Sequence, residues 1–269
     1  MTTIDYAEPA VSIKDARMPL LGFGTWQIPN ADAPEAIATA LEAGYRHIDT
    51  ATGYRNEAGI GTGLRTANLP RESVFLTTKM PPDNVGRERR TLEQSLTKLG
   101  VDFVDLWLVH WPPNRRATPA AWEEFVRARS DGLTRSIGVS NYSLSQIDEL
   151  TEATGVTPAV NQIRWGISVY DPSVVSGLEQ RGVVLEGYSP FKASNLDDPA
   201  LLEIASRYDA ATAQIVVAWH LAHGFVVIPK SVHRERIVAN AAGVRIELTA
   251  DEVAEIDDLS GNRRASQPQ

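Results

Sequence analysis

The feature that most constrains this chain is a rhythm. Short apolar runs recur roughly every 25 to 40 residues, and each is followed by a stretch with helical periodicity. Eight such runs stand at residues 20–24, 46–49, 73–78, 103–109, 135–139, 159–163, 183–187 and 225–228. Several are apolar almost throughout, as strands buried on both faces must be. The stretches between them carry helix signals. Asp32 and Pro34 open a helix that Gly44 stops, and a Gly-rich helix reads over 57–69. Leu92, Leu96 and Leu99 make a stripe ahead of Gly100. Ser143 with Gln146, and Thr249 with Glu252, have the form of capping boxes. Residues 11–19 read as a small hairpin before the first run. An α/β fold follows, a (β/α)8 TIM barrel with an N-terminal β-hairpin and extra C-terminal helices. An open doubly wound sheet is the second choice. No linker-like stretch interrupts the rhythm, so residues 1–269 read as one domain, with 1–10 and 261–269 as mobile tails.

Polar residues fall where the runs end. Asp49, Lys79, His110, Ser140-Asn141, Asn161-Gln162, Tyr188-Ser189 and Lys230-Ser231 each close a different run. A parallel barrel gathers those ends into one ring on the face that carries active sites. Tyr54 follows Asp49 in a Gly-containing loop that can fold its phenol back over the carboxylate. A carboxylate beside a phenol calls for a cation, and Lys79 supplies it. That ammonium should stay charged and lower the phenol's pKa, so that Tyr54 can give a proton to a carbonyl oxygen. His110 can hydrogen-bond to the same oxygen, and the two would steady a developing alkoxide. None of these side chains donates a hydride, so a reduction needs a nicotinamide.

Composition removes other chemistries. There is no cysteine in 269 residues, which rules out disulfides, zinc thiolates and cysteine nucleophiles. A net charge of −8 makes nucleic acid and anionic membranes poor partners, although a local basic pocket can still hold an anion. No basic or apolar leader segment opens the chain, and no run approaches the ~18 apolar residues of a membrane span. A cytoplasmic protein is expected.

The runs and their ends also match a family. Gly22-x-Gly24-Thr25-Trp26, Gly44-Tyr45-Arg46-His47-Ile48-Asp49-Thr50-Ala51, Thr77-Thr78-Lys79 and Leu108-Val109-His110-Trp111-Pro112 stand in that order. Ile137-Gly138-Val139-Ser140-Asn141, Asn161-Gln162, Tyr188-Ser189-Pro190 and Ile228-Pro229-Lys230-Ser231 follow. With these motifs the sequence resembles the aldo-keto reductases over almost its whole length, most of all the bacterial 2,5-diketo-D-gluconate reductase type. The resemblance implies NADPH-dependent reduction of aldehydes and ketones by a monomer. By position it implies that Asp49, Tyr54, Lys79 and His110 are the catalytic tetrad. Ser140, Asn141 and Gln162 would hold the nicotinamide carboxamide, and Tyr188 would stack on the ring. Ser189 and Phe191 match positions near the pyrophosphate. Lys230, Ser231, Val232 and Arg236 match the 2′-phosphate site, and Asn240 the adenine site. Trp26 and Trp111 would wall the substrate pocket with Tyr54 and His110.

Departures from the family pattern concern the pocket's edges. Relatives often follow Asn-Gln with Glu-x-His-Pro, where this chain has Ile163-Arg164-Trp165-Gly166-Ile167. His233 stands where many bacterial relatives carry Arg, and Ala239 replaces a longer polar side chain. The chain ends soon after Gly261, so an open rim is expected.

Plainer readings compete at several places. Asp49 with Lys79 alone would be a structural ion pair. Lys79 alone could be the Schiff-base lysine of a barrel lyase. A nucleotide-binding, redox-sensing protein with little turnover is a third reading. Gly59-x-Gly61-x-Gly63 lacks the context of a dinucleotide loop. His220 and His223 share a helical face without a carboxylate cluster, so no metal site is expected.

Overall fold

Apolar runs with polar ends become the staves of a barrel. The computed structural model describes residues 9–13 and 16–260. Strands β1 (Ala10–Ile13) and β2 (Ala16–Pro19) pair antiparallel, Ala10 opposite Pro19. The barrel strands are β3 (Phe23–Gly24), β4 (His47–Asp49), β5 (Phe75–Met80), β6 (Val104–Val109), β7 (Thr134–Ser140), β8 (Val160–Arg164), β9 (Val184–Tyr188) and β10 (Val226–Ile228). Each is parallel to the next in sequence. The ring closes where β3 meets β10. Leu21 bridges Val227, the Gly22 N–H donates to the Val227 carbonyl at 2.8 Å, and the Val227 N–H donates to the Leu20 carbonyl at 2.7 Å. Gly24 permits that approach, because a Cβ there would lie 2.8 Å from the Ile228 carbonyl oxygen. The sheet is therefore a barrel and not an open, doubly wound one.

The connections are helical. They are α1 (Ala33–Glu42), α2 (Glu57–Thr66), α3 (Glu88–Leu99), α4 (Pro119–Ser130), α5 (Leu144–Thr154) and α6 (Pro172–Glu179), then α7 (Pro199–Arg207), α8 (Thr212–Ala222), α9 (Arg234–Ala242) and α10 (Ala250–Asp258). The boxes at Ser143 and Thr249 form as expected. Asp32 precedes α1 but its side chain makes no cap hydrogen bond, because its own backbone is already helical. Helix α2 stops short of 69, and Asn68 turns out of it with φ 52. Its glycines serve packing. A Cβ at Gly59 would lie 2.2 Å from the Asn30 carbonyl oxygen, and one at Gly61 2.4 Å from that of Leu99.

Two apolar regions hold the fold together. One fills the space between strands and helices, where Trp107 stacks on Phe125 with ring centroids 3.5 Å apart. The other closes the barrel floor, where Ile13, Met18 and Leu20 of the hairpin region pack on Leu106, Leu108 and Val226. Full burial of each such side chain contributes about 1.5–3 kcal/mol. The floor is thus sealed, and the polar strand ends are left at the other face. The expected N-terminal tail of 1–10 is too long, since Ala10 lies in β1 and the Pro9 carbonyl accepts from the Leu20 N–H at 2.8 Å. Residues 1–8 and 261–269 lie outside the described residues. Among the described residues no helix is long and apolar enough to cross a membrane.

Candidate active site

Asp49 ends β4 and Lys79 lies near the end of β5, on adjacent parallel strands. Both are buried, and Lys79 Nζ lies 2.6 Å from Asp49 Oδ1. The same ammonium donates to the Thr50 carbonyl at 2.9 Å and to the Tyr54 hydroxyl at 3.4 Å. Tyr54 sits on a 3-10 turn, Thr52–Tyr54, directly beyond β4. His110 follows β6, and its ring meets that of Tyr54 edge to face with centroids 5.5 Å apart. The four side chains expected to act together are therefore in one place. Gln162 joins them, its Nε2 donating to Asp49 Oδ2 at 2.8 Å.

Electrostatics correct one expectation. The Tyr54 phenol is raised above its usual pKa, not lowered. Burial is the main cause, and Asp49 and Glu186 add to it against the Lys79 charge. Lys79 lies much closer to Asp49 than to the phenol, so its charge is already matched. Burial disfavours the Lys79 ammonium, yet Asp49 and then Tyr54 outweigh it and hold its pKa above the usual lysine value. Burial and the nearby Lys79 charge push His110 down to about 3. At neutral pH the site thus presents a protonated phenol, a neutral imidazole and a charged lysine. A Schiff-base lysine must first become a free amine. Lys79, with raised pKa and three N–H partners, is the opposite, which removes the lyase reading.

Asp49, Tyr54 and His110 line a cleft of about 470 Å³, with Lys79 fully buried behind them, within the usual range for small-molecule sites. Trp26 and Trp111 line it and are 47% and 48% exposed, so they are pocket walls and not core. Ser140, Asn141, Gln162, Tyr188, Ser189 and Lys230 line it too. Tyr188 donates its hydroxyl proton to Asn141 Oδ1 at 2.9 Å, and Asn141 Nδ2 donates to Ser140 Oγ at 2.9 Å. Asn141 and Ser189 take left-handed backbone, φ 64 and 54, a local cost of about 1–3 kcal/mol each.

The remaining expected cofactor residues lie outside the cleft lining. Ser231 is buried, Val232, His233 and Arg236 are exposed at the start of α9, and Asn240 is buried on that helix. Phe191 packs on the main core. Lys230 and Arg236 have no carboxylate within 4.0 Å among the described residues, whereas Arg234 pairs with Glu42 at 2.8 Å. No group of three or more acids and histidines could hold a metal among the described residues. His220 bonds the Val216 carbonyl at 2.7 Å and His223 bonds Asp257 at 2.9 Å.

The segment after Gln162, Ile163-Arg164-Trp165-Gly166-Ile167, is closely packed. A Cβ at Gly166 would lie 2.7 Å from both the Pro190 and Ala193 carbonyl oxygens, so this segment lies tightly under the turn after β9. Trp165 is buried against Tyr170 and Phe225. Arg164 reaches up instead, and its Nη2 donates to the Lys192 carbonyl at 2.8 Å. The Lys192 ammonium lies over the Trp26 ring, 5.3 Å from its centroid. Arg164 and Lys192 both line the cleft and were not anticipated as site residues. Glu186 and His47, buried on the barrel's inner side, were not anticipated either. Their signal is spacing, since each precedes a site residue, Tyr188 or Asp49, by two and so shares its strand face.

Comparison with known proteins shows the family. The family model described as "Aldo/keto reductase family" matches residues 20–260. The chain is 40% identical over 251 residues to the methylglyoxal reductase DkgA of Salmonella typhimurium, covering 92% of this chain and 91% of that protein. The crystal structure of an aldo/keto reductase from Brucella melitensis superposes with a TM-score of 0.90 at 36% identity, covering 94% of this chain and 100% of that one. A Bombyx mori aldo-keto reductase in complex with NADP gives a TM-score of 0.86 at 31% identity, covering 97% and 95%. The barrel and the match over nearly the whole described length agree, and this chain belongs to the aldo/keto reductase family.

Proposed function

We propose that the protein reduces small aldehydes, ketones and vicinal dicarbonyls with NADPH, Tyr54 acting as the proton donor. The observation that carries this reading is the buried Lys79 ammonium, held 2.6 Å from Asp49 and 3.4 Å from the Tyr54 hydroxyl, directly behind the two groups that line an open cleft. A protonated phenol and a neutral imidazole face the same space. Tyr54 gives its proton to the carbonyl oxygen as negative charge builds there. His110, uncharged, offers an N–H to the same oxygen and orients it. Lys79 and Asp49 hold the phenol in place and stabilise the phenolate it leaves behind. Trp26 and Trp111 give the substrate flat apolar walls.

The residues present fit a nicotinamide dinucleotide. The Asn141 amide and the Tyr188 ring are fixed to each other at the cleft wall. Lys230 and Arg236, without acid partners among the described residues, suit a 2′-phosphate near the start of α9. Bound there, the reduced cofactor supplies the hydride.

The finer reading concerns substrate. Methylglyoxal, for which the Salmonella typhimurium relative is named, is a vicinal dicarbonyl, and 2,5-diketo-gluconate is a dicarbonyl acid. An open cleft with two exposed tryptophans suits both better than a steroid-sized ketone. A monomeric, cytoplasmic enzyme completes the proposal. The test is NADPH oxidation over a carbonyl panel. Turnover of small dicarbonyls supports the reading, and a purified protein that turns over none of them leaves the redox-sensing alternative.

A further inference from the structure

The barrel interior holds one carboxyl that the proposed reaction leaves unused. Glu186 lies within β9 and is fully buried. It stands level with Gln162 on β8 and Val226 on β10. Neither of its oxygens has a hydrogen-bond partner among the described residues. The nearest basic group is His47 on β4, whose Nε2 lies 3.7 Å from Glu186 Oε1 and 3.1 Å from Thr77 Oγ1.

An ionised acid in that position would be costly. His47 cannot offset it, since burial above all, with Lys79 adding to it, pushes its pKa down to about 3. Lys79 is already engaged with Asp49, the Thr50 carbonyl and Tyr54. The Gln162 amide gives its 2.8 Å hydrogen bond to Asp49 and makes none to Glu186, so it favours the Glu186 carboxylate only by lying near it.

We propose that Glu186 is a positioning residue of the catalytic centre, a carboxyl kept neutral so that Lys79 remains committed to Asp49 and Tyr54. This rests on the reductase reading of the site. The groups facing Glu186 are His47 and Asp49 from β4, Lys79 from β5 and Tyr54 from the turn beyond β4. Strands β8 and β10 present only uncharged Gln162 and Val226. His220 of α8 lies against Gly187, where a Cβ would come within 3.2 Å of its Nε2.

Ionisation would add a second negative charge near Lys79, and that charge is one of the effects that raise the Tyr54 phenol and make it a weaker acid. Burial and then Asp49 push the Glu186 carboxyl up to about 8, with Gln162 and Lys79 opposing only in part. Reduction should therefore fall as pH rises through that value. Stability follows the same sign. An acid with a raised folded pKa contributes fully below its unfolded value of about 4.3, and that contribution is lost as pH rises through the folded value.

Three measurements test this. Infrared spectroscopy should show a buried protonated carboxyl that disappears near pH 8 in wild type and is missing from Glu186→Gln, and complete ionisation of all carboxyls below about pH 6, or the same signal in Glu186→Gln, would overturn the proposal. Glu186→Gln should lose less melting temperature than wild type between pH 6 and 9, and an equal fall would overturn it. These two arms need no turnover, so they stand apart from the reductase reading. In carbonyl reduction, Glu186→Gln should keep kcat/KM within about threefold at pH 6.5 and move the alkaline fall above about pH 9, while Glu186→Asp should retain a fall at alkaline pH. An alkaline limb unchanged in Glu186→Gln would overturn the role. A wild type without any reductase activity, but with the two other arms as expected, would fault the reductase reading and leave the neutral carboxyl in place.

Discussion

Replacing Lys79 by methionine keeps an unbranched chain of similar length and removes the ammonium. Asp49 then stays buried, 1% exposed, with the Gln162 amide at 2.8 Å as its remaining side-chain donor. Removing one partner of a buried ion pair costs about 3–5 kcal/mol, because the other charge is left uncompensated. Asp49 can escape by taking up a proton. Burial already pushes its pKa up and the Lys79 charge is the main opposing effect, so the variant raises it further. For an acid with a raised folded pKa, stability is fully present below the unfolded value of about 3.9 and lost as pH rises through the folded value. Lys79→Met should therefore be destabilised by about 3–5 kcal/mol at pH 8 and by clearly less at pH 5. Asp49→Asn on the same background should recover about 2 kcal/mol or more at pH 8, because the buried charge is then gone. Urea unfolding of the two single variants, the double variant and wild type, at both pH values, gives the cycle. Equal cost at pH 5 and pH 8, with no recovery in the double variant, would refute an ion pair held in a dry barrel.

Arg236→Ala should weaken NADPH binding roughly 10- to 150-fold, the worth of one charge-assisted hydrogen bond, and leave NADH nearly unchanged; fluorescence titration with both cofactors reads this directly, and equal losses would make Arg236 structural. Gly59→Ala should cost at least about 1–3 kcal/mol by urea unfolding, because its Cβ would lie 2.2 Å from a backbone oxygen. His110 is held down at about 3, so kcat/KM should show no histidine limb between about pH 5 and 7; a fall there that His110→Gln abolishes would contradict the neutral imidazole.

Most of the barrel is legible in the sequence because each strand is a short buried run with a polar end. Asp49, Lys79, His110 and Gln162 could be placed in one ring on that ground. The structure brings Tyr54 to them through a turn that begins directly after β4. Helix ends were legible where a side chain does the capping, at Ser143 and Thr249. At Asp32 the backbone leads directly into the helix, so residue type misleads. Residue types mislead about the phenol's pKa for a physical reason. Residue types reveal the Lys79 charge but not the depth of burial or the unequal distances that decide the balance. Arg164 and Lys192 escaped notice because their meeting depends on how the segment after Gln162 lies under the turn after β9. Glu186 is different, since a lone acid two residues before Tyr188 was visible and points inward by alternation alone.

Proton donation by Tyr54 is the centre of this account, and Tyr54→Phe tests it most directly. The variant keeps the ring that meets His110 and removes only the hydroxyl that Lys79 contacts. Steady-state NADPH oxidation with a small vicinal dicarbonyl should lose roughly 10²–10⁴ in kcat. The dissociation constant for NADPH, measured on the same preparation, should stay within about twofold, because the phenol faces the carbonyl and not the cofactor's phosphates. Reduction by the phenylalanine variant at near wild-type rate, with NADPH still bound, would contradict the assignment of Tyr54 as the acid.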